Sequence, residues 1–213
     1  MQIVAVAGRK GGTGKTLVTA SFAACAYLKA PLVRGAEETD RARVAVLDLD
    51  PQGCLTGWYA RRERPGPELV TAESRFLRER VEDFADQGFE YLFLDVGPGH
   101  GHLVEAAMRV ADISVLPSMP GQLGIEVTAA AVSMALAAKV PYVVQPIGGT
   151  FRSRLQGQAI TALREQGLPL LPTIHHRVGA VLRDGLTAVE REPSSAAARE
   201  IWAAFLSLME LLR

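Results

Sequence analysis

IVAVAGRKGGTGKT, residues 3–16, decides the fold of this chain. The apolar run Ile3–Ala7 reads as a buried strand, and a glycine-rich turn follows it at once. Gly8 and Gly14 bracket five residues ahead of Lys15 and Thr16, one more than in the Gly-x4-Gly-Lys-Ser/Thr pattern of a phosphate-binding loop, whose end Gly14-Lys15-Thr16 matches between a strand and a helix. The glycines let successive backbone N–H groups turn onto one anion, and the helix begun at Lys15 adds its positive dipole end. That dipole contributes about 1 kcal/mol, whereas micromolar affinity needs about 8 kcal/mol. Lys15, a magnesium ion at the Thr16 hydroxyl and the nest of amides must therefore supply most of the grip. The expected ligand is a nucleoside triphosphate.

The chain has 213 residues, 48% of them apolar, and no Pro/Gly/Ser-rich linker divides it, so residues 1–213 read as one domain. Its 23 basic and 23 acidic residues cancel, which argues against bulk electrostatic attachment to DNA or membrane but leaves room for a local patch. Arginine supplies 19 of the basic residues and lysine 4, two of which stand in the loop; asparagine is absent. Cys25 and Cys54 are too few for a disulfide framework or a metal cluster and fit a reducing cytoplasm. No secretory leader is expected, because the first residues enter a strand, and no apolar run reaches the ~20 residues of a membrane span.

Short apolar runs alternate with helical patterns along the chain. Strands are expected at 2–7, 43–48, 90–95, 112–116, 141–147 and 169–174. Helices are expected near 15–29, 73–87, 102–110, 121–138, 153–166, 178–188 and 195–212. This order predicts an α/β fold, a doubly wound and mostly parallel sheet flanked by helices. In such sheets the ligand lies beyond the carboxyl ends of the strands. The stretch 30–42 is long for a helix-to-strand connection and reads as a surface loop.

Two further segments end in carboxylates. Val44-Ala45-Val46-Leu47-Asp48-Leu49-Asp50 carries two acids at a spacing that puts both side chains on one face of an extended chain. Asp48 is expected near the magnesium shell and Asp50 one step further out, near an attacking water. Leu92-Phe93-Leu94-Asp95 has the form of the Walker B element that holds magnesium. Phosphoryl transfer needs positioning and charge neutralisation more than covalent chemistry, so a cation, a lysine and a water-orienting carboxylate suffice.

These segments match a family. KGGTGKT (10–16) with its extra Lys10, then DLDPQG (48–53), LDVGPG (94–99) and ADISVLPSMPGQLGIE (111–126), resemble the deviant-Walker ATPases of the ParA/MinD group. The tail, with Arg177 and DGLTAVEREPSSAAAREIWAAF (184–205), is similar to the small ParA-type partition proteins that lack an N-terminal DNA-binding extension. The resemblance implies a Mg²⁺-dependent ATPase that closes with ATP into a sandwich homodimer. Lys10 would reach the partner's nucleotide, Asp50 would be needed for hydrolysis, and Thr16, Asp48 and Asp95 would serve magnesium. Gly11, Gly12, Thr13, Gly14, Lys15, Thr16 and Leu17 would surround the nucleotide, with Arg177 near the base.

It also implies non-specific DNA binding by the ATP-bound dimer, hence nucleoid association. A centromere-binding (ParB-like) or cargo adaptor protein would stimulate hydrolysis, in the service of plasmid or chromosome segregation. Candidate DNA contacts are Arg152, Arg154, Arg183 and Arg191, which could neutralise about 4–8 phosphates per dimer. Alternatives of another class are a MinD-like or cargo-positioning ATPase acting on membrane or a protein assembly, and an ATP-dependent metabolic ligase. The C-terminal stripe Ile201, Phe205, Leu208 and Leu212 has few basic neighbours and suits a helix docked on the sheet better than a membrane anchor. Two departures from the family stand out. His100 and His102 sit in a loose loop after Asp95, and Gln145-Pro146-Ile147-Gly148-Gly149 stands where many members place an adenine-reading Asn.

Overall fold

The computed structural model describes residues 1–34, 41–98, 101–177 and 182–213. The long 30–42 connection falls partly on helix and partly outside the described residues; His100 lies outside them. Strands β1 (Gln2–Val6), β2 (Val44–Asp48), β3 (Glu68–Val70), β4 (Tyr91–Asp95), β5 (Ile113–Ser118) and β6 (Tyr142–Pro146) form one sheet in the order β3-β2-β4-β1-β5-β6. Every pairing in it is parallel. The helices are α1 (Lys15–Arg34), α2 (Cys54–Tyr59), α3 (Leu77–Asp86), α4 (Gly101–Val110), α5 (Gln122–Ala138), α6 (Arg154–Glu165), α7 (Ala188–Arg191) and α8 (Ala196–Leu211).

The alternation of side chains along a strand divides the core between the two faces of the sheet. Val4, Val6 and Phe93 join one apolar cluster with Phe22 of α1 and Ile201, Phe205 and Leu208 of α8. Ile3, Ala5, Leu92 and Leu94 join the other with Met108 of α4 and Ala131 and Ala135 of α5. Both faces are thus covered, which is why β1 and β4 need nearly continuous apolar sequence. Each fully buried large side chain contributes about 1.5–3 kcal/mol. The C-terminal stripe belongs to this core: Ile201, Phe205 and Leu208 are fully buried, and Phe205 packs edge-on to Phe22 at 6.0 Å between ring centroids.

β1 lies between β4 and β5, so the loop that leaves its carboxyl end opens where the winding of the sheet changes direction. Register aligns the strand ends there: Val6 pairs with Asp95, and Asp95 pairs with Asp48.

Two expected elements differ. Residues 169–174 make isolated bridges, Leu170 to Val144 of β6 and Ile174 to Ile147 just beyond it, and form no continuous strand, because Pro169 and Pro172 have no N–H for a ladder. The helix expected at 178–188 lies partly outside the described residues. In the described part, Arg183 and Leu186 bridge across a turn with positive φ at Asp184 (52°) and Gly185 (71°), and helix begins only at Ala188. An Asp-Gly turn followed by the capping box Thr187/Glu190 accounts for the later start.

Candidate nucleotide site

Loop 8–14 climbs from the buried Gly8 to an exposed tip at Arg9–Gly12 and descends into α1 at the buried Lys15. Gly14 has φ +88°, and a Cβ there would sit 2.8 Å from Cδ1 of Ile147, so both backbone and space demand glycine. Lys15 Nζ donates to the carbonyl of Lys10 at 2.8 Å, and Thr13 Oγ1 donates to the same oxygen at 3.3 Å. Burial lowers the Lys15 pKa, opposed by the charges of Asp95 and Asp50. The Lys10 side chain stands at the exposed tip.

Thr16 Oγ1 donates to Asp95 Oδ2 at 2.7 Å. Asp95 is 1% exposed, and burial first, then the neighbouring Asp48 and Asp50, raise its pKa to about 7 against the pull of Thr16 and Lys15. A buried carboxylate crowded by two others and a threonine hydroxyl makes an oxygen donor set short of positive charge, which suits a hard divalent cation. Among the described residues no group of three His, Cys, Asp or Glu side chains could hold a metal ion alone. A magnesium ion fits here if water and phosphate oxygens complete its shell, as that ion usually requires.

Asp48 stands beside Asp95 in the sheet register and has further partners. Its Oδ1 accepts the N–H of Asp50 at 3.0 Å, and its Oδ2 accepts both the N–H and the hydroxyl of Thr56, at 2.8 and 2.9 Å. Thr56 is the third residue of α2, so Asp48 caps that helix from outside in place of Gly53, which has no side chain to do so. The carboxylate expected near the cation thus also holds its own loop. Asp50, half-buried, accepts the N–H of Gln52 at 2.9 Å on Oδ1. The loop after β4 passes so close that a Cβ on Gly97 would lie 2.7 Å from that oxygen, which ties the two acidic loops together.

Beside the phosphate loop lies a cavity of about 160 Å³. Gly12, Gly14 and Leu17 form one wall and Met119, Ile147 and Gly148 another, with His175–Arg177 on the far side. Arg177 thus lines the cavity, while its guanidinium binds Glu200 (Nη2 to Oε1 2.7 Å). Gln145, in the 145–149 segment, is fully buried, and its amide N–H donates to the carbonyls of Pro146 (2.9 Å) and Pro172 (2.8 Å). The arginines proposed for DNA fall in two places. Arg152 and Arg154 are exposed at the start of α6, Arg152 with its guanidinium 5.4 Å from the Phe151 ring centroid. Arg183 pairs with Asp184 at 3.0 Å, and Arg191 lies 4.0 Å from Glu192. His102 is exposed on α4.

Three features of this region carry no local sequence signal. They are the cap from Asp48 to Thr56, the anchor of the cavity wall on Glu200, and a buried pair between Arg62 and Glu190 that fixes the loop after α2 to the α7 capping box.

A parallel sheet with a phosphate loop at its central strand, a Thr–Asp pair for a cation and acids at adjoining strand ends defines a P-loop nucleotide-binding fold. The chain belongs to the CobQ/CobB/MinD/ParA nucleotide binding domain family, whose model matches residues 4–184. It is 29% identical over 180 residues to the maintenance of carboxysome distribution protein A of Gloeobacter kilaueensis, covering 79% of this chain and 73% of that protein. In structure it resembles the septum site-determining protein MinD with Mg-ADP from Pyrococcus horikoshii (TM-score 0.79, 17% identity, 99% of this chain and 97% of that one). It also resembles an ATP complex of a Cyanothece McdA variant (TM-score 0.75, 17% identity, 100% and 96%). Among the described residues no helix is long and apolar enough to cross a membrane.

Proposed function

We propose that this chain is a Mg²⁺-dependent ATPase of the ParA/MinD type that positions a protein assembly by cycling between an ATP-bound homodimer and a monomer. The observation that supports the reading most is the arrangement of Lys15, Thr16, Asp95 and Asp50 at one strand-end cluster, with Lys10 at the exposed tip above them. Similarity to a protein named for carboxysome distribution favours protein cargo over the plasmid or chromosome segregation that the sequence first suggests.

In this reading Lys15 and the loop amides hold the phosphates, and the Thr16–Asp95 pair holds the magnesium ion. The cation supplies neutralisation of charge on the transferring phosphoryl group. Asp50, held by the N–H of Gln52 and against Gly97, orients the attacking water. Asp48 keeps that loop in shape. Lys10 serves the partner's nucleotide, so that only a dimer is complete. DNA binding through the exposed arginines at 152 and 154 is the step by which the dimer would hold to the nucleoid, and an adaptor protein on the cargo would trigger hydrolysis.

The test is a DNA-binding titration without nucleotide, with ADP and with ATP, each at two salt concentrations. Binding that requires ATP and weakens steeply with salt supports the reading. Retention that ignores the nucleotide contradicts it.

A further inference from the structure

We infer that Glu200, a residue of α8, is a positioning residue for nucleotide binding: its carboxylate fixes His175–Arg177 as the far wall of the cavity beside the phosphate loop, where the base of a nucleotide held by that loop would lie. The inference rests on the nucleotide reading above. The wall has little regular structure of its own, since its last bridge to the sheet is at Ile174. One backbone hydrogen bond, His176 N–H to the Gly149 carbonyl at 2.8 Å, ties it to the β6 side. The remaining polar ties described for it converge on Glu200. His175 N–H donates to Oε2 at 3.0 Å and His175 Nδ1 lies 3.0 Å from Oε1, while Arg177 donates from Nε at 3.2 Å and Nη2 at 2.7 Å.

The magnitude favours a real constraint. Exposed ion pairs contribute little, but the Glu200 side chain is only 18% exposed and takes several charge-assisted bonds at once. Its backbone is set by the core, because Ile201 and Phe205 beside it are fully buried. From the other side Phe151 closes the clamp: its ring meets His175 edge-on at 5.4 Å and the Arg177 guanidinium at 5.6 Å. Glu200 neither lines the cavity nor bonds to the phosphate loop. Its removal should therefore loosen the base wall and leave the phosphate grip intact.

Inorganic tripolyphosphate, which has phosphates but no base, separates these effects. Calorimetric titrations of the full chain with Mg-ATP and with Mg-tripolyphosphate would compare wild type, Glu200→Ala and Glu200→Gln. Glu200→Ala is expected to lose about tenfold in ATP affinity with tripolyphosphate changed less than about twofold, and Glu200→Gln, which keeps a neutral acceptor, to fall between. Unchanged ATP affinity in Glu200→Ala, or equal losses for both ligands, would overturn the inference. A wild-type chain that binds neither ligand would overturn the nucleotide reading itself, a different failure from one confined to the variants.

Discussion

Lys15 Nζ donates to the backbone carbonyl of Lys10 at 2.8 Å, so the phosphate lysine and the tip lysine of one loop are linked through the main chain. The contact satisfies a buried ammonium whose pKa burial depresses. A phosphate oxygen offered to Lys15 competes with that carbonyl. Lys15→Ala removes the charge-assisted contact, and ATP affinity is expected to fall by about 3 kcal/mol, roughly a hundredfold. Equilibrium titration checks it.

Asp50 faces the loop after β4 across the small gap that Gly97 leaves. In the proposed role of orienting water, it would matter to turnover and not to binding. Asp50→Ala is expected to keep ATP affinity and lose about 10²-fold or more in single-turnover hydrolysis.

Asp48 behaves as a cap. Asp48→Ala strips Thr56 of two hydrogen bonds and is expected to lower folding stability by about 1–2 kcal/mol even without magnesium, whereas a pure metal ligand would show its effect only with the ion. Urea unfolding with and without magnesium separates the two.

Asp95 gives the protein a pH signature. Its folded pKa of about 7 lies above the ordinary 3.8 of a free carboxyl, so folding favours the protonated form. Its contribution is greatest below the unfolded value, declines as pH rises between the two, and is flat above about 7. The slope approaches about 1.4 kcal/mol per pH unit at most. Asp95→Asn should flatten the decline between pH 5 and 7 when ligand-free unfolding of variant and wild type is compared, and parallel curves would count against the buried charge.

The phosphate loop and the three acids were legible in the sequence because each is a local pattern hung on a nearly continuous apolar strand. Lys15, Thr16, Asp50 and Asp95 fall together for that reason. What escaped depends on contacts distant in the chain. α2 is six residues long, contains Gly57 and takes its cap from Asp48, so no start signal precedes it. β3 has three residues and, among the described residues, pairs with β2 alone. Glu200 reads as one more polar residue on an amphipathic helix until the fold brings His175 and Arg177 against it. The edge at 169–174 shows the reverse: its apolar content suggested a strand that its prolines interrupt.

Light scattering on the wild-type chain and on Lys10→Ala, each with magnesium and a nonhydrolysable ATP analogue, tests the central claim most directly. Wild type is expected to double its mass, while Lys10→Ala binds the analogue and keeps the mass of one chain. A wild type that remains at single-chain mass with the analogue bound, or a Lys10→Ala variant that doubles as readily, would contradict it.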